Sequence, residues 1–88
     1  KEQELYAATL KAVDFNWIAG APPQGPIPCE AKIRYSQNPQ PATAMPNEDG
    51  SVTVTFQAPQ RAITPGQAAV LYDNDTVLGG GTIKEAFR

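Results

Sequence analysis

Residues Gln60 to Ile83 read QRAITPGQAAVLYDNDTVLGGGTI, and the fold is decided in this stretch. Pro65 fixes its own φ and Gly66 accepts φ > 0, so Thr64-Pro65-Gly66-Gln67 reads as a tight turn. From Gln67 to Asp73 a strand sets Ala68, Val70 and Tyr72 on one face and Ala69 and Leu71 on the other. A strand apolar on both sides needs neighbours on both. Asp73-Asn74-Asp75-Thr76 closes a hairpin, in which Asn74 and Asp75 tolerate the left-handed backbone of two-residue loops. The return strand, Thr76 to Lys84, contains Gly79-Gly80-Gly81. Three glycines inside a strand leave nothing to pack, so their use is geometric: a bulge, a bend at a barrel corner, or close approach of another backbone. A phosphate-cradling loop does not fit, because Thr82-Ile83-Lys84 follow and no helix pattern opens.

Outward from this stretch, the 88 residues are enough for one compact domain. Nine prolines and seven glycines punctuate the chain every few residues and leave no capped helical window, which predicts an all-β domain. The single cysteine, Cys29, excludes an intrachain disulfide and a cysteine-cluster metal site, and with no histidine the usual imidazole ligand is missing as well. A reducing, intracellular compartment fits this usage. No apolar run is long enough to span a bilayer, and the stretch from Lys1 lacks the apolar core of a signal peptide, so the domain reads as soluble. A net charge of −2 argues against gripping nucleic acid by bulk electrostatics and leaves local patches open. Without histidine, acid–base chemistry would rest on carboxylates, Lys or Tyr.

Glu4 to Phe15 alternates loosely and reads as a strand, since Thr9, Val13 and Phe15 favour β over the competing helical stripe. Trp17 follows as a core plug, and Ala19 to Pro28 forms a connector rich in proline. Cys29 to Ser36 alternates most clearly, with Cys29, Ala31, Ile33 and Tyr35 inward and Glu30, Lys32, Arg34 and Ser36 outward. Cys29 is then a small core hydrophobe, not a nucleophile. Asn38 to Pro46 holds at most a short edge strand, Ala42 to Met45. Asn47-Glu48-Asp49-Gly50 is a turn, and Ser51 to Gln57 points Val52, Val54 and Phe56 inward. After Ile83 the tail turns polar, with Phe87 a last core contact. Five or six strands at this spacing suggest a small antiparallel, Greek-key-like barrel.

Taken together, Asn16-Trp17-Ile18, the run Cys29 to Tyr35, the run Pro59 to Val70 and Leu78-Gly79-Gly80-Gly81 resemble the C-terminal domain of the tRNA-specific 2-thiouridylases. The resemblance spans nearly the whole chain, so residues 1–88 would be one barrel domain of a larger enzyme. It implies a β-barrel akin to those of translation factors, appended to an ATP-pyrophosphatase catalytic domain and a small central domain. In such enzymes ATP serves to adenylate the wobble uridine of tRNA, and a persulfide on an enzyme cysteine, loaded by a sulfur-carrier protein, delivers sulfur to C2. The nucleotide loop and the catalytic cysteine pair are absent here, so this chain would carry no catalytic, cofactor-binding or metal-binding residue, within a cytoplasmic parent.

The remaining task would be to help hold tRNA and to brace the catalytic domain. Lys32 and Arg34, about 7 Å apart on one strand face, with Arg61 at the start of the organising turn, are the candidate phosphate contacts. A solvated barrel face, or salt bridges to Glu30 and neighbouring carboxylates, is the alternative use of these three. Gln60, Gln67 and Trp17 would shape turns and core or face the central domain. Two rival readings are a flavin-binding barrel, suggested by Arg34-Tyr35-Ser36 and Pro65-Gly66-Gln67, and a purely structural interdomain module.

Overall fold

A computed structural model describes residues 5–87 of the chain. Six strands run in order: β1 (Tyr6–Trp17), β2 (Ile27–Lys32), β3 (Gln40–Pro46), β4 (Val52–Arg61), β5 (Ala68–Asp73) and β6 (Thr76–Phe87). Every ladder is antiparallel, and the sheet closes on itself in the order β1-β4-β3-β2-β5-β6. Strands β2, β3 and β4 form a meander, whereas β1 lies between β4 and β6, which gives the barrel its Greek-key character. No α-helix occurs among the described residues.

A six-stranded barrel is narrow, and its inward positions alternate accordingly between small and large side chains. Ala12, Ala31, Ala44 and Ala69 are fully buried beside Leu10, Leu71, Val52, Val54 and Ile83. Each buried Leu, Ile or Val stabilises the fold by about 1.5–3 kcal/mol relative to exposure, so these few residues supply much of the core.

The three glycines serve the close approach of another backbone. The β1–β6 ladder slips between Val13 and Asn16, where Asp14 sits at φ 52°, and the bulge drives β1 onto the bare stretch of β6. A Cβ on Gly79 would collide with the Asn16 carbonyl oxygen and lie 2.9 Å from Cε1 of Phe15. One on Gly81 would lie 2.7 Å from the Val13 carbonyl oxygen and 2.8 Å from Cδ2 of the same ring. Phe15 thus rests on two glycines two residues apart, which share a strand face. Gly66, at φ 92°, makes the expected turn, in which Gln67 N–H donates to the Thr64 carbonyl at 3.2 Å. That turn docks on β6 through Gly66 N–H to the Ile83 carbonyl and Ile83 N–H to the Gln67 carbonyl, both 2.8 Å.

Several elements differ from the sequence reading. Strand β1 extends through Trp17, which is half-buried and packs against Phe15 with the rings tilted and their centres 4.7 Å apart; Glu4 lies outside the described residues, as do Lys1 and Arg88. Strand β3 is longer than Ala42 to Met45 and is no edge, because β2 and β4 flank it. Its Pro41 and Pro46 sit near its two ends, where a missing N–H matters least. Strand β5 is not buried on both faces: Ala69 and Leu71 point into the core, while Ala68 is exposed and Val70 and Tyr72 are half-exposed. In the β5–β6 hairpin only Asn74 takes positive φ, at 55°. The tail after Ile83 continues β6, and Ala86 packs against the core instead of Phe87, which is exposed.

The glycine seam is tested by comparing Gly79→Ala with Gly25→Ala, whose added methyl would meet nothing within 4 Å. Urea unfolding should show Gly79→Ala destabilised by about 2–3 kcal/mol or more, as for an overpacked core. Gly25→Ala should stay within about 0.5 kcal/mol of the parent.

Candidate functional site

Among the described residues, the loops at the two ends of the barrel differ in charge. At one end, β2 opens into the loop 33–39 and β4 into the loop 62–67. These loops hold Arg34 and no carboxylate, and Lys32 and Arg61 are the last residues of the strands that lead into them. At the other end, the β3–β4 turn holds Glu48 and Asp49, and the β5–β6 hairpin is framed by Asp73 and Asp75. Glu30 is drawn toward that end, its carboxylate accepting the Asn74 N–H at 3.0 Å.

The cationic end is built by side-chain amides. Ile33, the last inward residue after β2, donates its N–H to Oε1 of Gln37 at 3.0 Å, so the loop bends where the next ladder bond would have formed. Gln37 N–H closes the turn on the Arg34 carbonyl at 3.2 Å. Nε2 of Gln37 then donates to Oε1 of Gln60, which is buried and itself donates to the Ala58 carbonyl at 2.9 Å. Gln60 is therefore a shaping residue of turn and core, and Gln37 is its partner across the two loops. Sequence reasoning did not single out Gln37; the polar run Ser36-Gln37-Asn38-Pro39 is the turn signal that marks it.

Lys32 and Arg34 do not share a strand face, because β2 ends at Lys32. The backbone turns there, Arg34 swings across to the other loop, and Nη2 donates to the carbonyls of Arg61 and, at 3.0 Å, of Ala62. Ala62 sits at φ 54°, a left-handed conformation that Arg34 holds in place. The guanidinium keeps its charge and its remaining N–H donors. Tyr35, expected inside, is 97% exposed, and Nζ of Lys32 stands 5.6 Å from the centre of its ring. Arg34, Tyr35 and Ser36 thus form a turn and not the strand a flavin barrel would use. Among the described residues, none of Lys32, Arg34 and Arg61 pairs with a carboxylate; the ion pair present is Lys11 with Asp49, at 3.5 Å.

The acidic end is equally well organised. Asp49 accepts hydrogen bonds from the Ser51 hydroxyl at 2.6 Å and the Ser51 N–H at 2.9 Å, and these, with Lys11 nearby, hold its carboxyl down at about 2. Beside it, Trp17, Ile18, Pro22, Ile27, Val77 and Leu78 line an apolar hollow of about 390 Å³. Ile18 is 64% exposed within this patch.

Neither end presents a reactive constellation. Cys29 lies on β2 facing the core, and burial, then the neighbouring Glu30 charge, push its thiol up to about 11. Among the described residues no three His, Cys, Asp or Glu side chains gather as metal ligands, and no helix is long and apolar enough to cross a membrane. The arrangement suits binding of anions at one end and apolar contact at the other.

A family model described as the aminomethyltransferase beta-barrel domain matches residues 7–83. A tRNA-specific 2-thiouridylase MnmA of Francisella philomiragia is 54% identical over 79 residues, covering 90% of this chain and 22% of the relative. MnmA 2 of Geobacillus kaustophilus is 49% identical over 88 residues, covering 100% of this chain and 24% of the relative. MnmA of Shouchella clausii is 50% identical over 84 residues, covering 96% and 23%. The chain spans about a quarter of the length of these curated relatives.

Two measurements follow from this geometry. Arg34→Lys, which keeps the charge and loses the planar fork, should lower stability by about 1 kcal/mol in urea unfolding and speed amide exchange at Ala62 and Ile63. Cys29 should react with iodoacetamide at pH 8 only after denaturant is added, because the buried thiol supplies almost no thiolate at that pH.

Proposed function

The chain belongs to the aminomethyltransferase beta-barrel domain family and is a C-terminal domain of the tRNA-specific 2-thiouridylase kind, and on that premise we propose that it is the non-catalytic tRNA-holding part of such an enzyme. The parent would use ATP, bound outside this chain, to 2-thiolate the wobble uridine of tRNA in the cytoplasm. Sulfur would reach the parent's catalytic domain from a carrier protein. Residues 1–88 would form one domain beside the catalytic and central domains.

The observation that carries the reading is the grouping of Lys32, Arg34 and Arg61 at two loops joined by Arg34. Phosphates are held by Lys and Arg without regard to sequence, and RNA presents them along its whole backbone. The overall charge of −2 does not oppose this, because the three cations gather at two neighbouring loops that hold no carboxylate. Charges are screened over about 8–10 Å at physiological ionic strength. An RNA strand lying across these two loops meets Lys32, Arg34 and Arg61 and no carboxylate of the loops themselves. Bracing would fall to the opposite end, where Ile18 and Val77 expose apolar surface beside Trp17. Exposed apolar groups clustered in this way suit a contact with the rest of the parent chain.

Titrating the isotopically labelled chain with tRNA tests the grip. Backbone amide shifts should cluster in the loops 33–39 and 62–67 and fade with added salt. Lys32→Ala combined with Arg61→Ala should flatten the slope of log K against log salt by about 1.5, near the value for two lost phosphate contacts. No shift up to millimolar tRNA would overturn the grip and leave bracing as the task.

A further inference from the structure

Tyr35 is unlike the other aromatic residues of this domain. Aromatic side chains normally repay their place by burying 150–250 Å², yet Tyr35 is 97% exposed and props up no part of the core. It is nevertheless held in a defined place, because the Ile33–Gln37 and Gln37–Arg34 hydrogen bonds fix the turn that turns it outward. Lys32 stands 5.6 Å from the ring centre, which fixes the cation beside an open aromatic surface. Behind the ring lies a groove of about 380 Å³, whose lining includes Lys32, Arg34, Gln67, Val70 and Tyr72. It is the half-exposed face of β5 that gives the groove its apolar floor.

We propose that this groove is a seat for one unpaired nucleotide of the bound RNA, with the base stacked on Tyr35 and the flanking phosphate held by Lys32 and the outward donors of Arg34. The inference rests on the RNA-holding reading and adds to it a subsite and a class of ligand. The chemistry is complementary at each point. A base offers a flat face to an aromatic ring and to the apolar Val70 floor. The Gln67 amide offers both a donor and an acceptor to a base edge. Lys32 and Arg34 supply positive charge where the backbone leaves the groove. A base within an RNA duplex is stacked on both faces and cannot enter, so the groove selects an unstacked position such as a loop nucleotide.

The test compares a hexauridine strand with a blunt RNA duplex, each titrated into the labelled chain. Hexauridine should shift the signals of Tyr35, Gln67 and Val70, and Tyr35→Ala should weaken it by about fivefold or more, the scale of one lost stacking contact. Tyr35→Phe should keep the affinity, and Tyr35→Ala should leave duplex binding unchanged. If Tyr35→Ala leaves hexauridine binding intact while Lys32→Ala weakens it, the seat is wrong and the electrostatic grip stands. If neither RNA moves any amide, both readings fall. If Tyr35 is protected from iodination in the full-length parent without RNA, the groove belongs to a protein contact and the seat is overturned.

Discussion

The contact on which the rest of the barrel depends is the seating of Phe15 on Gly79 and Gly81. A closed sheet of six strands leaves little radius, and β1 must bend sharply to pair with β4 on one side and β6 on the other. The bend is made by the Asp14 bulge, which pushes the carbonyls of Val13 and Asn16 and the Phe15 ring onto β6. Side chains on that stretch of β6 would hold the strands apart. With none there, the ring closes the seam, packs at a tilt against Trp17 and leaves Trp17 half-buried at the rim.

Closure has a functional result. In a closed antiparallel barrel every strand is paired on both sides, so backbone edges are not available for recognition, and partners must meet the outer faces or the two ends. Here the ends differ in chemistry: amide-braced loops with cations at one, carboxylates and an apolar hollow at the other. The bracing at the cationic end uses neutral groups, since Gln37 and Gln60 join the two loops while the charges remain at the surface. Arg34 does both jobs, tying down the strained Ala62 with one nitrogen and keeping its charge outward.

Much of this was legible in the residues. The alternation of Val52, Val54 and Phe56, and of Cys29, Ala31 and Ile33, fixed which faces point inward, and Pro65-Gly66 fixed the turn that docks on β6. Alternation failed at Tyr35 because a period of two holds only while the chain stays in the ladder. The residue that ends the ladder is Gln37, whose side chain takes the Ile33 N–H, and no pattern of hydrophobicity records such a bond. Proline's missing donor argues for an edge at β3, but Pro41 and Pro46 sit near its ends, and the hairpins on either side pair it with both β2 and β4. The polar tail after Ile83 is likewise a strand because β1 is there to pair with it. The candidate cations were legible as residue types, whereas their grouping at one end required the topology.

The position of β1 also dictates an order of assembly. Its partners are β4 and β6, with Thr9 opposite both Thr55 and Phe87, so the first of the six strands in chain order is satisfied on both sides only once the sixth is present. The meander β2–β3–β4 and the β5–β6 hairpin close short loops and are available early, while ladders between distant segments form late. During synthesis β1 therefore waits with an open edge until β6 has emerged. Its bulges, which twist the strand out of register, are the kind of feature that keeps a waiting edge from pairing with another chain.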